Sequence, residues 1–126
     1  MSILFELNYK KPDNEDVVRL LAWGKVLQEN YEDAIVKYDS LINMAVNSRK
    51  KVMSEDFYNK GLCYLLLGNI TEAVKQFKKY SSNLTGDNPT INDKIDEDYD
   101  FLRKHGISDC DIRLLVDCVL ANSYSL

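Results

Sequence analysis

The chain has 126 residues, 45% hydrophobic and 29% charged, which suits one folded domain of ordinary size and is too apolar for a disordered segment. Sixteen Lys and Arg stand against twenty Asp and Glu, and without a basic excess to neutralise phosphates no nucleic-acid partner is expected. The acids are uneven: Asp87, Asp93, Asp96, Glu97, Asp98 and Asp100 crowd one stretch with Lys94 as its single base, and the rest of the chain is close to neutral.

Residues 1–7 carry neither a basic leader nor a long apolar core, so no secretory segment is expected. The longest apolar run, Leu62–Leu67, is far short of the roughly 18 residues that span a bilayer, so no membrane association is expected. Cys63, Cys110 and Cys118 form no CxxC pair and no even framework; they read as reduced thiols acting as small hydrophobes in a cytoplasmic protein.

In chain order, Ile3–Tyr9 alternates loosely and leads into Lys10-Lys11-Pro12. An arm packed on the domain, a short strand and a docking peptide for another copy all fit that pattern. Pro12-Asp13-Asn14 then signals a helix start, and Val17, Val18, Leu20, Leu21, Trp23, Val26 and Leu27 recur at helical spacing up to Gln28. From Glu32 to Val46, Ala34, Ile35, Tyr38, Leu41, Ile42 and Ala45 form one apolar stripe, and the short link between the two helices demands an antiparallel hairpin. A second hairpin follows. Ser54 is the expected cap of a helix running to Leu67 and stopped at Gly68-Asn69, and its partner from Thr71 to about Asn83 aligns Ala73, Val74, Phe77, Tyr80 and Leu84. Asn88-Pro89 breaks the chain. Thr90 to His105 reads as one helix, Gly106 ends it, and Ser108 with Asp111 opens a last helix striped by Ile112, Leu115, Val116, Val119 and Leu120.

The second helices of the first two hairpins superpose: Ala34-Ile35, Tyr38 and Leu41 answer Ala73-Val74, Phe77 and Tyr80, 39 residues on. With Tyr31 and Ile70 three residues before each Ala, and Gly61 and Ala22 at the matching small position of the first helices, the chain resembles the tetratricopeptide repeat over residues 15–85. Its spacing exceeds the usual repeat of about 34, and Lys25 stands where the family prefers an aromatic. The expected fold is all-α: three antiparallel helical hairpins, about six helices, stacked as a right-handed superhelix of this kind or as a compact bundle. One domain covers 1–126, with an N-terminal arm (1–12), hairpins at 14–46 and 53–84, and a degenerate hairpin or cap at 90–122.

No catalytic constellation is present in the sequence. His105 is the one histidine and sits at a helix C-terminus, where it suits a cap; phosphate loops, nucleophile elbows and zinc spacings are missing, so no enzyme, cofactor or metal is expected. The acidic run lacks the glycine and spaced ligands of a calcium loop. The resemblance implies protein binding along the first helices of the hairpins, and it places Arg19, Trp23, Leu27, Tyr58, Asn59 and Leu62 there. Trp23 stands where the family's clamp for C-terminal carboxylates needs Asn, so that clamp is not expected. Independently, Asp93, Asp96, Glu97, Asp98 and Asp100 form a candidate face for a basic partner. Two roles are compatible with these features: an adaptor or chaperone module holding a partner protein or peptide, and an immunity protein neutralising a cognate bacterial toxin.

Overall fold

The computed structural model describes residues 15–84 and 89–124, so the N-terminal arm and the Pro12–Asn14 start signal lie outside the described residues. Every regular element in the described residues is helical: α1 (Glu15–Leu27), α2 (Tyr31–Asn47), α3 (Ser54–Leu66), α4 (Ile70–Ser82), α5 (Ile91–Glu97), α6 (Tyr99–Lys104) and α7 (Asp109–Tyr124). α1 packs on α2, α2 on α3 and α3 on α4; α7 then packs on α4, and α5 joins α4, α6 and α7. The all-helical expectation holds.

The helix ends share one device. After α1, Asn30 N–H donates to Lys25 O and Glu29 N–H to Val26 O, and the same pair of bonds closes α2 (Lys50 to Ala45, Arg49 to Val46), α3 (Asn69 to Tyr64, Gly68 to Leu65) and α6 (Ile107 to Leu102, Gly106 to Arg103). This reversal satisfies orphan carbonyls and needs one left-handed residue. Gly68 and Gly106 supply it at φ 84° and 89°, whereas Glu29 and Arg49 are forced into it at φ 61° and 58°. The two glycines were legible as stops, and the two charged residues carry no comparable local signal.

Two expectations about caps and continuity are corrected. Ser54 is the first helical residue and Met53 the cap; the Ser54 hydroxyl instead donates to Asn83 O (3.1 Å), satisfying a carbonyl beyond the end of α4. The single helix expected over 90–105 is broken at Asp98. There the hydroxyl of Tyr58, reaching from α3, donates to Lys94 O (3.1 Å) and Asp98 Oδ2 (2.7 Å), so Lys94 O is shared with the Asp98 N–H at 3.2 Å. Thr90 and Asp93 close a capping box at the start of α5, and the Ser108 hydroxyl accepts from Asp111 N–H at the start of α7.

One buried cluster joins Ala22, Val26, Ala34, Ile35, Tyr38, Leu41 and Cys63; a larger one runs from Phe57 and Leu62 through Phe77 and Ile95 to Val119. Trp23, Tyr64 and Phe101 pack against both, which makes the core continuous. The small position of the repeat pattern has a direct steric reason: a Cβ on Gly61 would lie 2.8 Å from Phe77 Cε1. Helices α3 and α4 can approach this closely only because that atom is missing.

Candidate functional site

Of the six residues expected to line a groove, three come together. Arg19, Trp23 and Asn59 border a concavity of about 430 Å³ with Asp16, Leu20 and Tyr38. α1 brings Arg19, Leu20 and Trp23 to it at helical spacing, and α3 brings Asn59. Leu20 is 54% exposed at its edge, and the Trp23 ring, 6.4 Å from Phe101, closes the end nearest α6.

The charges beneath this groove are already paired. Arg19 grips Asp56 with two parallel bonds, Nε to Oδ1 at 2.8 Å and Nη2 to Oδ2 at 2.9 Å, and Nη1 lies 3.4 Å from Asp16. Asp56 is only 2% exposed, and its hydrogen bond holds the Arg19 pKa above the usual guanidinium value against the opposing effect of burial. Arg19 is therefore committed to the fold as much as to any ligand. Tyr38 is fully buried behind the groove with its hydroxyl unpartnered among the described residues. Burial raises its pKa well above the phenolic range, with the nearby Arg19 charge offsetting part of the effect.

The other three expected groove residues lie elsewhere. Tyr58 and Leu62, at 1% and 0% exposure, are core residues: they occupy the side of α3 that meets α4 and the last helices. Both pack into the cluster shared with α4 and α5, and neither borders the concavity. Leu27 is 62% exposed at the end of α1 and does not line the concavity.

The five acidic candidates also divide. Asp93 closes its capping box and Asp98, half-buried, accepts from Tyr58, so both have structural partners. Glu97 lies 3.9 Å from Lys94, whose stronger partner is Glu55 at 2.6 Å. Asp100 is exposed. Asp96 alone of the five enters a second concavity, about 540 Å³ between α5 and α7, which Asp109 and Asp117 also line. Sequence reasoning missed those two because they belong to a different helix.

His105 is exposed; its Nδ1 lies 2.8 Å from Phe101 O and its ring packs on the Phe101 ring, which is the expected terminal position. None of the three cysteines is in a disulfide among the described residues. Burial pushes the Cys63 thiol up to about 12, whereas Cys110 is exposed. Among the described residues no cluster of three or more His, Cys, Asp or Glu could hold a metal ion, and no helix is long and apolar enough to cross a membrane. No protein-family model, curated protein or solved structure matches the chain.

Proposed function

We propose that this chain is a non-enzymatic interaction module, a tetratricopeptide-like stack whose α1/α3 groove holds a segment of a partner protein. The observation that carries the reading is the groove itself: exposed Leu20 and half-buried Trp23 beside Asn59, above an ion pair that already neutralises Arg19. Such a surface favours an apolar segment over a charged one, since a ligand carboxylate would have to compete with Asp56 for the guanidinium. Three cysteines outside any disulfide among the described residues suit a reducing compartment such as the cytoplasm. The second role, inhibition of a basic toxin, draws on the exposed Asp96, Glu97 and Asp100.

Affinity capture of the tagged chain from its native cell, followed by mass spectrometry, tests these readings. Leu20→Asp is the groove variant, because Leu20 is exposed and its change leaves the core intact. A partner lost with Leu20→Asp and retained with Asp96→Lys supports the groove. The reverse pattern supports the inhibitor role, and a partner indifferent to both changes refutes the assignment of either surface.

A further inference from the structure

The α5/α7 concavity is a different kind of surface from the α1/α3 groove. Ile95 and Ile112, 2% and 3% exposed, form its floor; half-buried Val116 and exposed Leu120 extend the apolar strip along α7. Asp96 stands on the α5 side and Asp117 on the α7 side, and neither has an ion-pair partner among the described residues. The base of this region, Arg113, is engaged by Asp109 at 3.1 Å, and Asp109 also accepts from the Tyr99 hydroxyl at 2.7 Å. An apolar strip is thus flanked on both sides by an uncompensated carboxylate.

We propose that this groove docks a basic amphipathic helix from another protein, its apolar stripe on Ile95, Val116 and Leu120 and its lysines or arginines against Asp96 and Asp117. The two carboxylates disfavour phosphate-bearing ligands and favour cations on both flanks of the occupant. The walls select a helix over an extended strand: α5 and α7 bond their own backbones, so they present no edge along which a strand could satisfy its N–H and C=O groups, whereas a helix brings its backbone already paired. α7 is the last described helix and rests on α4 and α5, so an added helix would continue the helix-on-helix layering already present. The proposal rests on the reading of the chain as a binding module and does not depend on the α1/α3 groove; of the acidic residues invoked for the inhibitor role it uses Asp96 alone.

The probe is an 18-residue designed peptide of Leu and Lys placed at helical spacing, fluorescently labelled and titrated with the full-length chain by anisotropy; a Leu/Glu peptide of the same pattern is the control. The Leu/Lys peptide is expected to bind saturably and one to one, and the Leu/Glu peptide not to bind. Asp96→Asn with Asp117→Asn should weaken binding about tenfold, the effect of losing two partly desolvated pairs. Leu120→Asp should weaken it further, whereas Leu20→Asp and the remote pair Glu32→Gln, Asp33→Asn should leave it unchanged. Circular dichroism confirms that each variant is folded. Equal binding of both peptides, no saturable binding, or the same loss with the remote pair would overturn the proposal. So would binding that appears only after Phe5→Asp, which would make the chain's own N-terminal residues the occupant. Loss with Leu20→Asp alone would move the peptide to the other groove and leave the α5/α7 site without support.

Discussion

Gly61→Ala sets two effects of opposite sign against each other. In a helix interior, replacing Gly with Ala is worth about 1 kcal/mol of stability from propensity alone. Against this, the new Cβ would stand 2.8, 3.0 and 3.1 Å from three ring atoms of Phe77, well inside the contact optimum of about 3.5–4.0 Å. The ring has little room to retreat: Phe77 is fully buried, its centroid is 5.3 Å from that of Tyr58, and Tyr58 is itself held by bonds to Lys94 O and Asp98. Overpacking of this kind costs about 1–3 kcal/mol, so the expected result is a net loss of about 1 kcal/mol. Urea unfolding followed by helical circular dichroism reads it as a lower midpoint with an unchanged slope. In a Phe77→Leu background, which removes the obstructing ring atoms, the same substitution should become neutral or stabilising. A gain of about 1 kcal/mol in the otherwise unchanged protein would refute the claim that close α3/α4 approach is what this glycine serves.

Arg49→Gly should stabilise the chain by about 0.5–1 kcal/mol, because Arg49 is exposed and pays a left-handed backbone cost that glycine avoids; thermal unfolding measures it. Asp56→Ala should cost about 2–3 kcal/mol, less than the 3–5 of a fully buried pair because the Arg19 side chain retains 21% exposure and can recover water. Arg19→Leu with Asp56→Leu should recover part of that loss in denaturant unfolding. Burial pushes the Tyr80 hydroxyl from its ordinary 10.0 up to about 12, and a pKa raised on folding means that the folded state holds its proton longer. Tyr80 therefore contributes its full stabilisation below about pH 10 and loses it progressively as pH rises toward 12. Unfolding curves across that window should show a fall in stability that is shallower in Tyr80→Phe.

Helix existence and most helix ends were readable because they depend on local chemistry. The stripe Ala34, Ile35, Tyr38, Leu41 and Ala45 became the buried side of α2, and Gly68 and Gly106 stopped their helices in the left-handed turns expected of them. Gly61 and Ala22, read as small positions, are both buried, and a Cβ at Gly61 would meet the Phe77 ring. The groove was readable only in part. Arg19, Trp23 and Asn59 converge, but Tyr58 and Leu62 are buried in the core shared with α4 and α5, a choice that depends on where those helices lie.

What local pattern could not carry is set by contacts between distant segments. The ion pair of Arg19 with Asp56, the Tyr58 hydroxyl bonded at the Asp98 break, and the shared concavity of Asp96 and Asp117 each involve residues more than one helix apart. The sequence by itself determined an all-helical chain, the spacing of its first two hairpins and the apolar stripes of their second helices, because periodicity, capping and turn chemistry act within a few residues. Tertiary structure alone decided which polar groups are spent on the fold and which remain at a surface, because burial and pairing depend on what another helix places within a few ångströms.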